Sequence, residues 1–222
     1  MSDLGPGERT RVRRLAQKAR YDATTIHGVF DQAAFCYVSA VVEGLALSLP
    51  TLHAREGATI YLHGSQSNAL LRAALRAPRT AVSATIMDGL RLARSGFESS
   101  VAYRSVVAIG PAREVVALDD KQRILDLMIE HVLPGRSREV RPVSERELRL
   151  TLVVAIDVDE ASAKVSSGPT DDSDDDLALP IWAGDVPVRL VYGTPAPDVR
   201  GAMASQMIPL AESVRRLFEP RD

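Results

Sequence analysis

Residues 44–75 read GLALSLPTLHAREGATIYLHGSQSNALLRAAL. After a turn at Glu43-Gly44, residues 45–52 read as a strand. Arg55-Glu56-Gly57 is a second turn and 58–63 a further strand. Residues 64–67 then form a loop, and 68–75 a helix with Leu70, Leu71 and Leu75 on its apolar side, closed by Pro78. Upstream, FCYVSAVV at 35–42 is β-branched and aromatic, the texture of the strand that enters the first turn. Three strands joined by short turns predict an antiparallel meander leading into a helix.

The rest of the chain continues that pattern. Residues 8–20 carry helix formers and no breaker, predicting an N-terminal helix, and Thr24 or Thr25 caps a short second helix through Gln32. Residues 81–87 and 89–93 form a hairpin around Asp88-Gly89. A long strand at 101–109 ends at Gly110-Pro111 and continues after a bend over 112–117. The clearest amphipathic helix is 119–132, with Ile124, Leu127, Met128 and Val132 on one face. Residues 148–158 and 186–192 read as further strands. Six to eight strands in hairpins with three to five helices predict an α+β fold built on antiparallel β-structure. No Gly-x-Gly-x-x-Gly follows a strand, no P-loop lysine occurs and no repeat is present.

Composition sets the class. Of 222 residues, 45% are hydrophobic and 25% charged, the balance of a globular protein. A net charge of −2 provides no field to gather nucleic acid. The basic cluster Arg9, Arg11, Arg13, Arg14, Lys18 and Arg20 reads as a solvated face, and SSGPTDDSDDD at 166–176 as a solvated acidic loop. No apolar run has membrane-spanning length, and the start lacks a secretory signal. The single cysteine, Cys36, excludes an internal disulfide framework and reads as a buried thiol. The expected compartment is the cytoplasm.

Two stretches carry candidate chemistry. In Tyr61-Leu62-His63-Gly64-Ser65-Gln66-Ser67-Asn68 a strand, a glycine and two serines precede a helix N-terminus. Unpaired N–H groups and partial positive charge there suit a phosphate monoester. The same residues also serve as plain N-caps. In SSVAYRSVV at 99–107, Arg104 sits in an otherwise apolar strand. Its fork suits a carboxylate or phosphate, or it points to water from an edge strand. The four histidines show no metal-ligand spacing and no serine sits in a Gly-x-Ser-x-Gly elbow. No catalytic residue and no metal site is assigned. A phosphate-friendly turn without an acid–base set points to a cofactor that carries the chemistry.

The stretch 44–75 resembles the flavin-nucleotide-binding proteins of the pyridoxamine 5′-phosphate oxidase-like superfamily. The likeness continues through MDGLRLARSGFESSVAYRSVVAIGPAREV at 87–115 and PIWAGDVPV at 180–188. With helix 119–132 it covers most of residues 9–195. It implies a six-stranded split β-barrel with flanking helices that works as a homodimer, with FMN in two clefts at the subunit interface. The implied organisation is an N-terminal helical segment over 1–32, the barrel over 33–195 and a helical tail over 196–222. By this resemblance Leu47, Ser48, Leu49 and Pro50 lie along the isoalloxazine ring. His63, Gly64, Ser65, Ser67 and Asn68 match the ribityl-phosphate cradle, and Arg104 and Ser105 a pair facing the flavin. Trp182 matches an aromatic residue contributed late in the chain from either subunit, or it is a core tryptophan.

The chain also departs from the pattern. Asn68 stands where relatives often carry arginine or lysine in the phosphate turn, which leaves Arg72, Arg104 or an N-terminal arginine to compensate. Glu98 and Ser99 stand where many relatives carry histidines. The function implied is a flavin-dependent oxidoreductase of undetermined small-molecule substrate. Non-enzymatic flavin binding, haem binding and a cofactor-less dimer are the alternatives. FMN is expected ahead of FAD, the deazaflavin F420 or haem, with no nucleic-acid or membrane partner.

Overall fold

The computed structural model describes residues 7–198 and 209–219. Two antiparallel sheets share one core. The first runs β1 (Ala19–Arg20), β10 (Glu160–Ser166), β7 (Ser100–Gly110), β6 (Thr80–Leu92), β2 (Cys36–Val42), β3 (Leu45–Thr51), with β11 (Gly184–Pro187) also paired to β6. The second runs β4 (His53–Glu56), β5 (Thr59–Ser65), β9 (Thr151–Asp157), β8 (Ala112–Val115). This is the α+β split barrel that the sequence implies.

Helix α1 (Ala23–Gln32) plugs the barrel. Its Ile26, Val29 and Phe30 meet Cys36 and Val38 of β2, Ile60 and Leu62 of β5, and Val106 of β7. Strand β9 explains itself by its two-residue period: Leu152, Val154 and Ile156 face this core, while Val153 and Ala155 face a second one. Helix α3 (Leu118–Val132) covers that second core with Ile124 and Met128, against Tyr61 of β5. A strand buried on both faces reads as a continuous apolar run, as this one does.

Several expectations are corrected. Residues 8–20 form no helix: turns lead to a 3-10 turn at Ala16–Lys18 and then β1. The segment has no apolar stripe to bury and is held by single contacts, such as Val12 N–H to the Tyr21 hydroxyl at 3.1 Å. Strands β2, β3 and β5 are not a meander, because the chain changes sheet between Thr51 and His53. Asp88-Gly89 is not a hairpin turn; β6 is one strand with a bulge between Met87 and Gly89. The run 148–158 divides into α4 (Glu145–Leu150) and β9, because Ser144 and Glu147 form a reciprocal capping box. Of 186–192 only the start is strand, in β11. Strand β10 was not foreseen, since EASAKVS is small and polar. Of the expected C-terminal helical tail, Glu212–Arg215 is helical, while 199–208 and 220–222 lie outside the described residues.

Candidate functional site

The last strand of the first sheet is unusual. Residues 45–50 of β3 are exposed on both faces. Leu45, Leu47 and Leu49 pair with Val42, Ala40 and Val38 of β2, so they continue the inward face on which Val38 is buried. Among the described residues nothing completes their cover, and they are 66%, 36% and 49% exposed. Ser48 donates to no ladder beyond β2 either, and its hydroxyl accepts from Ser39 at 3.0 Å. Pro50, which has no N–H, stands on this free edge without disturbing it. Beside it, Ala46, Leu47, Arg76 and Pro78 help line a hollow of roughly 560 Å³.

The expected cradle starts inside a strand, not in a loop. His63, Gly64 and Ser65 complete β5 and pair with Val153, Leu152 and Thr151. Alternation therefore sends His63 and Gly64 to opposite faces. Gly64 lies tight against α2 (Ala69–Arg76): a Cβ there would come within 2.9 Å of the Asn68 amide and 3.0 Å of Leu71. Asn68 is the N-cap, its side-chain oxygen accepting from Leu71 N–H at 3.0 Å. Ser65 and Ser67 are exposed, their hydroxyls 3.3 Å apart. Arg72 is already engaged, donating to Glu114 at 2.9 Å and to the Gln66 carbonyl at 3.0 Å. It shapes the turn instead of standing free for a phosphate.

Arg104 is likewise taken. It lies on a central strand, not an edge, and forks onto the Asp88 carboxylate at 2.9 and 2.7 Å, with a third bond to Gln32 at 2.9 Å. The bulge in β6 frees Asp88 for this role. The Asp88 contact raises the guanidinium's pKa against the opposing effect of burial. Ser105, the next residue, faces the other side, between Thr85 and Lys164. Trp182 is no core tryptophan: it is 67% exposed, and its ring lies over Gly184 at the start of β11. Within one chain β7 and β3 are three strand spacings apart, roughly 14 Å, with β6 and β2 between them. The strand 47–50 and the Arg104–Ser105 pair are therefore not brought together by a single copy.

His63 leads to a feature the sequence reading missed. Its ring faces α3, and with Leu52, Leu125, Met128, Ile129, Val132, Leu133 and Arg136 it lines an apolar groove of about 460 Å³. Its Nδ1 is buried without a partner, and burial lowers its pKa, which keeps the imidazole neutral. The signal was present in α3. Leu125, Ile129 and Leu133 lie outside the face first assigned to the core, and so wide an apolar arc exceeds what one core needs.

Residues 22–165 match the family described as pyridoxamine 5′-phosphate oxidase. The chain belongs to the pyridoxamine 5′-phosphate oxidase family. Among solved structures, this family member is similar to the flavocytochrome Anf3 from Azotobacter vinelandii, at 32% identity over 95% of this chain and 97% of that one, with a TM-score of 0.87. It is also similar to the FAD and haem binding protein from Mycobacterium smegmatis, at 35% identity over 90% and 97%, with a TM-score of 0.83. The curated proteins contain no match. Among the described residues of this family member, no helix is long and apolar enough to cross a membrane.

Proposed function

We propose that this chain is a flavin-dependent redox protein that works as a homodimer, with each flavin at the subunit interface. The observation that carries the reading is the uncovered inward face of β3, Leu45, Leu47 and Leu49. An apolar face left open at a sheet edge calls for a ligand or a second copy, and a flavin at an interface supplies both. Roughly 14 Å between β3 and β7 within one chain favours a flavin that meets strand 47–50 of one copy and Arg104 of the other.

Ser65 and Ser67, exposed beside the N-terminus of α2 and bonded only to each other through their hydroxyls, are the residues to hold its phosphate. FAD, which the name of the Mycobacterium smegmatis protein carries, adds an adenylate half, for which the hollow beside Leu47 and Arg76 has room. Bound flavin supplies hydride or electron transfer; the protein's part is to orient the ring and shield it. Identifying the flavin released by heat from the purified protein decides between FMN and FAD. Ser67→Asp is expected to abolish flavin retention by repelling the phosphate, and unchanged binding in that variant would overturn this cradle.

A second cofactor is favoured by one specific observation, the unpartnered His63 Nδ1 beside an apolar groove. A neutral imidazole and an apolar groove that Arg136 also lines fit haem: His63 would hold the iron, and Arg136, now paired with Glu139 at 3.4 Å, would meet a propionate. Haem there supplies one-electron chemistry. Haemin titrated into the protein is expected to give a Soret band that His63→Ala removes while flavin binding persists. A band that survives in His63→Ala would exclude this ligand.

A further inference from the structure

The connection from β10 to β11 has far to travel. The two strands lie on opposite sides of the β7–β6 pair, so residues 167–183 cross the end of both. The stretch 166–176 was expected to form a solvated acidic loop, and Asp171, Asp174 and Asp175 are indeed exposed. Asp172 is not. Its side chain is 2% exposed and accepts from Arg94 N–H at 2.7 Å, from the Arg94 guanidinium at 3.0 Å and from the Thr170 hydroxyl at 2.9 Å. Burial alone would raise its pKa; the Arg94 and Thr170 bonds outweigh that and hold it below the usual carboxylate range.

The anchorage extends backward. Ser166 Oγ accepts from Lys18 at 3.2 Å and from Arg91 at 3.4 Å, and Arg91 also donates to the Pro169 carbonyl. The same Arg91 lies 4.0 Å from Asp185 of β11. Both Arg91 Nε and Arg94 Nε are buried without a hydrogen-bond partner, an arrangement that lowers stability. A loop that only joined two strands would stay solvated and avoid it. Between Asp172 and β11 the chain is thus fixed at both ends, and the stretch it holds out displays Leu177, Leu179, Ile181 and Trp182 to solvent. An exposed apolar stretch held in one place is suited to contact, because little freedom remains to be lost.

We infer that Asp172 is a positioning residue: through Arg94 and Thr170 it fixes residues 173–183 so that Trp182 is held ready against the flavin bound by a second copy. The inference rests on the flavin reading above. Trp182 is the chain's single tryptophan, so its emission reports on that position alone.

The test titrates FMN, and separately FAD, into flavin-free full-length protein while Trp182 emission and flavin fluorescence are followed. Quenching of Trp182 is expected in the unaltered protein. In Asp172→Asn most of that quenching is lost, and flavin affinity falls about tenfold or more. In a Trp182→Phe background the further change Asp172→Asn leaves flavin affinity as it was, because the contact it served is already gone. Equal losses with and without Trp182 would mark Asp172 as merely structural, and wild-type quenching in Asp172→Asn would overturn the role outright. If Asp172→Asn does not fold, Thr170→Val removes one donor to the same carboxylate and is expected to give a smaller shift in the same direction; no shift there also overturns the role. Unaltered protein that binds flavin without quenching overturns the positioning of Trp182 and leaves the flavin reading standing. Unaltered protein that binds neither flavin removes the flavin reading itself, and this inference with it.

Discussion

Among single residues, His53 is the one whose chemistry reaches the whole fold. It is completely buried, its Nε2–H donating to the Phe30 carbonyl at 2.9 Å and its ring 4.7 Å from that of His131. Its Nδ1 has no partner. Burial, with a smaller contribution from His131, lowers its pKa to about 4, against the opposing pull of the Phe30 carbonyl and Asp31. The unfolded chain therefore takes up a proton between pH 6.5 and 4 that the folded chain refuses. Stability is full above that window and falls as pH drops through it, by roughly 3 kcal/mol at the low end. Chemical denaturation of the full chain at pH 7, 6, 5 and 4.5 should show this slope, and His53→Gln should flatten it. An unchanged slope would move the acid sensitivity to other groups, His63 and His27 among them, whose pKa values burial also lowers. The candidate site was partly legible at this scale. Ser65, Ser67 and Asn68 stand out in the sequence because capping and phosphate binding use the same residue types; of the two roles the structure shows the cap, at Asn68. The direction of His63 was not, because it depends on where β5 ends, and residue type does not mark the last position of a strand.

The bulge in β6 shows how an element can defeat a local signal. Asp-Gly is a strong turn dipeptide, yet here it lies inside a strand of thirteen residues, because pairing with β7 on one edge and β11 on the other outweighs it. Gly89 is needed for a different reason: a Cβ at this position would sit 2.8 Å from the Val186 carbonyl. Gly89→Ala should therefore push β11 away from β6 and loosen the bond from Val188 N–H to the Asp88 carbonyl, 3.0 Å here. Hydrogen exchange is expected to rise over 184–188 while the β2–β6 pairing at 81–83 stays protected. Uniform protection in the variant would mean that the two edges of β6 do not act independently. Periodicity made the strands with a buried face and α3 readable, and the Glu43-Gly44 hairpin as well, where both residues adopt positive φ. It could not reveal β10, whose small polar residues are buried by neighbours far away in sequence. Nor did it locate α4, although Ser144-x-x-Glu147 spells a capping box.

Across the whole molecule, the question is why three leucines of the inward sheet face remain outside. Fully burying such a side chain contributes about 1.5–3 kcal/mol, so leaving Leu45, Leu47 and Leu49 at 66%, 36% and 49% exposure forgoes a few kcal/mol within one chain. In the proposed dimer a second copy would cover them and recover it, and the flavin would lie between β3 of one subunit and the Arg104 strand and Trp182 of the other. Light scattering should accordingly give about twice the 24.0 kDa chain mass at micromolar concentration. Leu47→Glu with Leu49→Glu should give the single-chain mass, since two carboxylates would then have to be buried in an apolar contact that offers them no partner. The two effects are linked: dissociation and flavin loss should occur in the same variant and at the same protein concentration, because half of each site leaves with the partner. A monomer that still holds flavin would place the whole site in one chain. That result would contradict the interface reading however well the leucines explain the dimer.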